Sequence, residues 1–420
     1  MLVFISINWY NLDKIRGYDR TIILFLSSPF IYLKIMIRKA YKYRIYPNKE
    51  QKEFFAKCFG CVRFFYNKSL RDMNDIYEST GKFKNITPAS YKEDYSFLKE
   101  VDSLALANAQ LNRNTAFKSF FSHKSGFPKY KSKRNDQSYT TNNQGSVKIS
   151  DNNRYISIPK CSRIRIKMHR LFEGNIKSIT VSRTTDNRYY ISLLVETEIE
   201  PLKTTKKMIG LDLGIKDLIV DSNGHKYKNH KYLTKSQTKL AKEQRKLSKM
   251  VKGSNNRNKQ RIKIARLHKK IYNQRNDYLH KLSKKIIDEN QIIVLEDLKV
   301  KDMEQNNKLA RNISDASWSR LVSMLTYKAN WYDRTVVKVP HDYPSSQLCS
   351  ICGHKNSITK SLNIRKWTCP ECGTVHDRDI NAAKNILSKG IELLTKDGTH
   401  PDSLFMLGSL ESSSKKPPLL

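Results

Sequence analysis

Acidic residues are scarce in this chain of 420 residues, which has 39 Asp and Glu against 78 Lys and Arg and a formal net charge of +39. A globular protein tolerates such an excess when a polyanion shares its surface, so nucleic acid is the expected partner. The basic residues are spread along the whole chain rather than gathered beside one apolar segment. This distribution disfavours binding to an anionic membrane surface.

Long apolar runs are also missing. The best candidate, "TIILFLSSPFIYLKIMI" at 21–37, is interrupted by Ser27, Ser28 and Pro29, and it falls short of the roughly 20 apolar residues that cross a bilayer. No small-residue cleavage site follows it, as a signal peptide requires. We therefore expect a cytoplasmic protein without a membrane partner. The simplest interpretation of residues 1–35 is an upstream extension read in frame, with Met36 as the natural start.

The chain has only seven cysteines, and in a reducing cytoplasm close pairs of them indicate metal ligands rather than disulfides. Two Cys-x-x-Cys pairs, Cys349 with Cys352 and Cys369 with Cys372, are separated by 16 residues, and a glycine follows each pair. This spacing is typical of a four-thiolate zinc ribbon. Because all four positions are cysteine, no position stays open for water, and the predicted zinc is structural.

The first half of the chain alternates between strand and helix patterns. "KAYKYRIYP" at 39–47 has the period of a half-buried strand, and Asn48 with Gln51 predicts the capped start of a helix. Cys58 and Cys61 fall on the apolar stripe of that helix, which favours core residues over metal ligands. A further helix is predicted near 103–121, with Leu104, Leu111, Phe117 and Phe121 sharing a face.

Strands return after this helical stretch. "RIRIK" at 163–167 alternates, and 176–196 reads as two strands joined by a turn at Asp186 and Asn187. The opening strand and this later region therefore bracket a helical insert and could close one small barrel.

Residues 239–286 carry 17 Lys and Arg against two acids, and a Gly-Ser-Asn-Asn stretch at 253–256 splits them into a predicted helical hairpin. A solvated charged face is the alternative, but acids paired at i,i+4 would be expected there. The pattern favours a hairpin that follows a nucleic-acid backbone. Its representative contact residues are Lys242, Lys246, Lys249 and Lys270.

Three acids stand in apolar or small-residue surroundings. Asp212 lies in "MIGLDLGI", Glu296 follows the continuous apolar run "QIIVL", and Asp379 opens "DINAAKNIL". A buried salt bridge, a strand end and a helix N-cap would explain them one at a time. Together they predict a site for Mg²⁺ or Mn²⁺, because hard oxygen ligands suit these ions and two-metal phosphodiester cleavage needs converging carboxylates.

The motifs "GLDLGIKD", "VLEDL", "SSQLCSICG", "CPECG" and "DRDINAAKNIL", in this order, resemble the OrfB/TnpB family of insertion-sequence proteins, relatives of the type V CRISPR effectors. The resemblance implies an α/β multidomain protein: an RNase H-like (RuvC) nuclease domain, interrupted by the zinc ribbon and preceded by a small β-barrel with a helical insert. It places the catalytic acids at Asp212, Glu296 and Asp379, with Asp377 as an alternative to the last. It also implies a guide RNA derived from the transposon, a target DNA and cleavage at a single RuvC site.

The expected domain boundaries follow from the motifs and the resemblance. They are 1–35 for the extension, 36–50 with 126–205 for the wedge-like barrel, 51–125 for the helical recognition insert, 206–345 with 374–394 for the nuclease domain, 346–373 for the zinc ribbon and 395–420 for a disordered tail. Two other functions stay open at this point: a nuclease-silent RNA-guided DNA-binding regulator, and a DNA strand transferase of the DDE type, which uses three carboxylates on the same fold.

Overall fold

A computed structural model of the chain describes residues 4–5, 21–27, 30–303, 305, 310–361 and 363–399. The chain forms two compact units. The first unit comprises 36–198 and 253–265, and the second comprises 1–35, 199–252 and 266–420. Of the predicted extension at 1–35, residues 4–5, 21–27 and 30–35 are described and the others lie outside the described residues, as does the predicted tail from residue 400 onward. Within the described residues, no helix combines the length and apolar character that a membrane span requires.

The strands are β1 Phe4–Ile5, β2 Thr21–Ser27, β3 Phe30–Tyr46, β4 Gln137–Asn142, β5 Lys148–Ile149, β6 Tyr155–Ile158, β7 Cys161–Lys167, β8 Asn175–Arg183, β9 Tyr189–Ile199, β10 Met208–Leu213, β11 Asp217–Asp221, β12 Lys226–Lys228, β13 Ile292–Glu296, β14 Thr335–Val339, β15 Lys366–Thr368 and β16 Val375–Asp377. The α-helices are α1 Lys49–Thr80, α2 Ser103–Phe121, α3 Tyr232–Ser248, α4 Asn255–Glu289, α5 Val300–Met303, α6 Ala310–Ala316, α7 Trp318–Tyr332 and α8 Arg378–Lys396. Short 3₁₀ turns occur at Ala89–Tyr91, Ser96–Lys99 and Ser357–Lys360.

The first unit is built on one sheet with the strand order β4-β8-β9-β3-β7-β6-β5. Helices α1 and α2 are inserted in the chain between β3 and β4, as predicted, so the opening strand joins strands that come more than 100 residues later. The predicted barrel is seen as a sheet whose end strands, β4 and β5, do not pair with each other among the described residues.

Helix α1 begins as its sequence predicts. The Asn48 side chain accepts a hydrogen bond from the Gln51 amide at 2.8 Å, and the Gln51 side chain accepts one from the Asn48 amide at 3.0 Å. This reciprocal capping box satisfies two amides that the first turn leaves without a partner. Cys58 and Cys61 are both buried in the core of the unit, which confirms that they are core residues.

The predicted apolar face of α2 is only partly correct. Phe117 is buried as predicted, but Leu111 and Phe121 are each 58 % exposed. The buried side chains of the helix are Ala105, Leu106, Ala109, Arg113 and Phe117, on the side where α2 lies close to α1 and to β4. The Arg113 guanidinium fits there by donating hydrogen bonds to the Ile86 carbonyl and the Asn85 side chain. The large apolar residues alone therefore did not identify the buried face.

The second unit contains a five-stranded sheet with the order β12-β11-β10-β13-β14. Strand β11 pairs antiparallel with both β10 and β12, whereas β13 pairs parallel with both β10 and β14. Strand β13 is the continuous apolar run that precedes Glu296, and four of its five residues are buried. It lies in the sheet between β10 and β14, which explains why its apolar residues do not alternate with polar ones.

Helices cover both faces of this sheet. Ile293 and Leu295 face a core formed with α4 and α7, while Ile292 and Val294 pack against Ile386 and Leu394 of α8. Helix α8 lies unusually close to the strands, because a Cβ on Gly210 would come within 2.2 Å of the Ala383 carbonyl oxygen. The small residues of "DINAAKNIL" thus allow the close helix–sheet packing that the sequence predicts.

Candidate functional site

Two of the predicted acids stand side by side at the ends of neighbouring parallel strands. The register of β10 and β13 pairs Gly210 with Val294 and Leu211 with Leu295, so the next residues along the two strands are Asp212 and Glu296. Side chains two residues apart share a face of a sheet. Asp212 therefore lies on the face of Gly210 and Glu296 on the face of Val294, which is the face that α8 covers.

Helix α8 brings the third acid to the same face. The N-cap is Asp377, whose Oδ1 accepts hydrogen bonds from the amides of Asp379 at 3.1 Å and Ile380 at 3.2 Å. Asp379 lies in the first turn, so the N-cap explanation that the sequence left open for Asp379 does not apply. The cap uses one carboxylate oxygen of Asp377, whereas the Asp379 carboxylate is not used for capping. This difference favours Asp379 as the metal ligand.

The carboxylates of Glu296 and Asp379 act electrostatically on Asp212. The pKa of Asp212 is raised to about 8, first by burial and then by the carboxylates of Glu296 and Asp379. Burial also raises the pKa of Glu296, although a hydrogen bond of 2.5 Å from the Ser345 hydroxyl partly offsets it. Carboxylates that hold protons because like charges surround them are typical of sites that bind a cation.

Basic side chains of the same unit pair with the two acids at the start of α8. The Arg365 guanidinium is 3.2 Å from Oδ2 and 3.3 Å from Oδ1 of Asp379. The Lys226 ammonium is 2.7 Å from Oδ2 of Asp377. Burial opposes ionisation of Asp377, but Lys226 and the two capped amides outweigh it and hold the pKa of Asp377 below its usual value. Asp379 thus already accommodates a cation beside its carboxylate.

The four predicted cysteine ligands form one cluster. Their Sγ atoms all lie within 4.8 Å of one another, and all four thiols are free. The distance is 3.7 Å from Cys349 to Cys372 and 3.6 Å from Cys352 to Cys369. Four thiolates around one zinc at about 2.3 Å would be separated by about 3.8 Å. The cluster therefore has the geometry to hold a metal ion of this size.

The two cysteine pairs sit on matching backbone turns. The Gly353 amide donates to the Cys349 carbonyl, and the Gly373 amide donates to the Cys369 carbonyl, each at 2.9 Å. Both glycines have positive φ, 75° and 69°, a conformation that costs energy for any residue with a Cβ. This explains why a glycine follows each pair.

The cysteine-rich segment is fixed directly to α8. The Asn381 side chain donates to the Leu348 carbonyl at 2.6 Å and accepts from the Ser350 amide at 2.9 Å. Asn385 also donates to the Leu348 carbonyl and to the carbonyl of Ser345, the residue that contacts Glu296. A short path of hydrogen bonds therefore connects the first cysteine pair, helix α8 and one carboxylate of the cluster.

The basic stretch forms the expected helical pair, α3 and α4, with a break at 249–254. The four representative lysines, Lys242, Lys246, Lys249 and Lys270, are all exposed. One of the two acids of the stretch, Glu243, is buried. Asp277 is then the one exposed acid among residues 239–286, all of which the structure describes.

Sequence reasoning missed four side chains that contact the site: Lys226, Ser345, Arg365 and His376. The Nε2 atom of His376 lies 3.1 Å from the Sγ of Cys349, within hydrogen-bonding distance. Ser345 opens the quoted motif "SSQLCSICG", but its partner Glu296 is 49 positions away, so the motif does not reveal this contact. Arg365 and His376 lie near the second cysteine pair and the acidic motif, which is the available sequence signal for these two, and Lys226 has no such signal.

Family models match most of the chain in three pieces. A model described as "Helix-turn-helix domain" of OrfB proteins matches residues 36–82, one described as "Probable transposase" of the OrfB type matches 190–307, and one described as "Cas12f1-like, TNB domain" matches 318–386. The third match contains all four cysteines and Asp379, and the second contains Asp212 and Glu296.

Curated relatives match over nearly their whole length. A Streptomyces pristinaespiralis protein named "Putative RNA-guided DNA endonuclease" is 40% identical over 84% of this chain and 90% of its own. The Escherichia coli K12 protein of the same name, InsQ, is 33% identical over 85% of this chain and 93% of its own. A solved structure titled as the Cas12f1–sgRNA–target DNA complex has a TM-score of 0.52 at 16% identity, covering 84% of this chain and 98% of the Cas12f1 chain, so the two share a mixed α/β fold. This chain belongs to the OrfB/TnpB family of insertion-sequence proteins.

Proposed function

We propose that the chain is an RNA-guided DNA endonuclease encoded by a transposable element, and that its second unit is an RNase H-like (RuvC) domain with a single Mg²⁺- or Mn²⁺-dependent site. The observation that carries the proposal is the convergence of Asp212, Glu296 and Asp379 on one face of the sheet, where two of them raise the pKa of the third. Three antiparallel strands followed by two parallel strands, with acids on the first strand, a later strand and the last helix, support the RNase H-like assignment.

The residues of the acidic cluster fit divalent ions. Asp212, Glu296 and Asp379 would hold the ions, and the guanidinium beside Asp379 indicates that a cation is favourable there. Bound Mg²⁺ supplies charge stabilisation for the attacking and leaving oxygens of a phosphodiester. Ser345 fixes one oxygen of Glu296, and Asp212 has to release its proton before it can bind a cation. Metal binding should therefore strengthen as the pH rises toward about 8.

We assign zinc to the four-cysteine cluster, in a structural role. All four donors are thiols, and soft thiolates at this spacing favour zinc over Mg²⁺. The Asn381 and Asn385 hydrogen bonds join the cluster to α8, so zinc would stabilise the segment that leads to Asp379 without taking part in the chemistry.

Guide RNA derived from the transposon and target DNA are the proposed partners. The net charge of +39 and the exposed lysines of α3 and α4 support a polyanionic partner. The printed names of the relatives and the RNA and DNA of the Cas12f1 complex support the same assignment. Base pairing with the guide would select the target sequence, and the protein would contact mainly the backbone and a short flanking motif.

The test is a plasmid-cleavage assay with the protein, its copurified RNA, a library of flanking motifs and Mg²⁺. We expect guide-dependent cutting that is lost in the single variants Asp212→Asn, Glu296→Gln and Asp379→Asn, while binding to RNA and target DNA persists.

Two variants serve as matched controls. Asp297→Asn changes a carboxylate next to Glu296 whose side chain is 60% exposed and paired with Lys338. Asp377→Asn removes a charge next to Asp379 and retains an oxygen for the cap. Both should still cut. Guide-directed binding without cutting by the unmodified protein would favour the silent-regulator alternative, and joining of DNA ends would favour a strand transferase.

A further inference from the structure

His376 has a position that neither the acidic cluster nor the four cysteine ligands explain. It lies on β16, and its ring is buried with only 7% exposure. Its Nε2 is 3.1 Å from the Sγ of Cys349, which is itself 2% exposed. A buried polar ring atom at this distance from a metal-binding sulfur makes a hydrogen bond that changes the charge on that sulfur.

The hairpin of β15 and β16 fixes the ring in this position. Trp367 and His376 are directly opposite each other across the two strands, and their ring centroids are 4.7 Å apart. Trp367 is also buried and belongs to the small apolar core that contains Cys349 and Cys369. The indole packs against one side of the imidazole and orients its Nε2 toward the cysteine cluster.

The same strand continues into the acidic cluster. Asp377 follows His376 directly, caps α8 and pairs with Lys226, and Asp379 lies in the first turn of that helix. The position of β16 therefore determines where α8 begins. A contact that holds β16 to the cysteine cluster also holds the cap of the helix that carries the third acid.

We propose that His376 is a positioning residue of the metal centre: it donates its Nε2–H to the Cys349 thiolate, slows loss of the metal and fixes the start of α8. The inference rests on the proposed zinc assignment. Because a thiolate that accepts a hydrogen bond carries less charge, its bond to the metal is retained more readily against competing protons and chelators.

The experiment compares wild type with His376→Phe and His376→Gln. Phenylalanine retains a ring that can pack against Trp367 but has no donor, whereas glutamine has an N–H at about the reach of Nε2. His354→Phe is the matched control, because His354 lies on the same segment with its Nδ1 4.0 Å from the Glu371 carboxylate. The readouts are the rate of zinc transfer to a colorimetric chelator and the sulfur-to-metal charge-transfer band after Co²⁺ substitution.

We expect zinc release from His376→Phe to be faster by about tenfold or more, the usual range for loss of an outer-sphere hydrogen bond. The Co²⁺ band should shift in this variant, and His376→Gln and His354→Phe should resemble wild type. Unchanged release and spectrum in His376→Phe would overturn the proposal, and equal losses in the Phe and Gln variants would show that ring packing rather than the hydrogen bond matters. A wild-type protein without zinc would instead refute the zinc assignment itself.

Hydrogen exchange tests the link to the helix. The amides of Asp379 and Ile380 donate to Asp377 and should exchange slowly in wild type. In zinc-loaded His376→Phe they should exchange faster, whereas the amides near the C-terminal end of α8 should not change. Equal protection of the first turn in both proteins would refute the link between the metal centre and α8.

Discussion

Replacing Asp212 with asparagine should stabilise the metal-free protein, and increasingly so as the pH rises. The pKa of Asp212 is raised from 3.8 to about 8 in the folded protein, so between these values the folded state holds a proton that the unfolded chain has released. The unfolded state then binds fewer protons than the folded state, and the free energy of unfolding falls as the pH rises. Asparagine does not titrate and removes this penalty.

The magnitude follows from the size of the shift. Each pKa unit corresponds to about 1.4 kcal/mol, and the interval from pH 5 to about pH 8 spans about three units, so the upper limit is about 4 kcal/mol. Asp212 is partly exposed to solvent, which weakens electrostatic effects. We therefore expect the variant to gain about 2 kcal/mol over wild type between pH 5 and pH 9, with little further change above that range.

Tryptophan fluorescence during urea unfolding in Mg²⁺-free buffer measures this difference, because the three tryptophans among the described residues, Trp318, Trp331 and Trp367, belong to the second unit. Asp297→Asn, at an exposed carboxylate, is the control and should follow the pH profile of wild type. Adding Mg²⁺ should restore stability to wild type at pH 9 but not to Asp212→Asn. Parallel pH profiles for wild type and Asp212→Asn would refute the electrostatic account of the cluster.

Three further predictions concern the rest of the chain. Cys369→Ser with Cys372→Ser should abolish bound zinc in elemental analysis, because two of the four donors are lost; full zinc content would refute the site. Gly210→Ala should destabilise the protein by about 1–3 kcal/mol in urea unfolding, because the new Cβ meets the Ala383 carbonyl, whereas Gly60→Ala, with open space around it, should not. Neutralising Lys242, Lys246, Lys249 and Lys270 together should weaken RNA binding. The slope of log binding constant against log salt concentration should fall by about 3, at about 0.7 per phosphate contact. An unchanged slope would mean that these lysines only face solvent.

Local features of the fold could be predicted well from the sequence. The capping box of Asn48 and Gln51, the four clustered thiols and the buried strand β13 each depend on residues a few positions apart, whose physical requirements are visible in a short window. The buried face of α2 could be predicted only in part, because it is set by the neighbours at α1 and β4 and includes Ala105, Ala109 and Arg113 beside Leu106 and Phe117. Apolar residues of α2 occur on both its buried and its exposed sides, so they do not mark the buried face by themselves.

The candidate site could likewise be predicted from the sequence only in part. The three acids were identifiable because each stands in unusual surroundings, but their convergence depends on the register of β10 and β13. An N-cap was one explanation that the sequence left open for Asp379, whereas Asp377 caps α8, because both aspartates suit a helix start. The contacts of Ser345 with Glu296 and of Lys226 with Asp377 join distant parts of the chain, so the residues around each one do not reveal its partner.

The most direct test of the central claim is to map the DNA cut while the guide is changed. The protein is loaded with its own RNA or with the same RNA carrying a new guide segment, and the ends of a two-target plasmid are sequenced after incubation with Mg²⁺. The account predicts that cutting moves to the new target, and that Asp212→Asn binds both targets without cutting either. Cutting that ignores the guide segment, or that persists in Asp212→Asn, would contradict it.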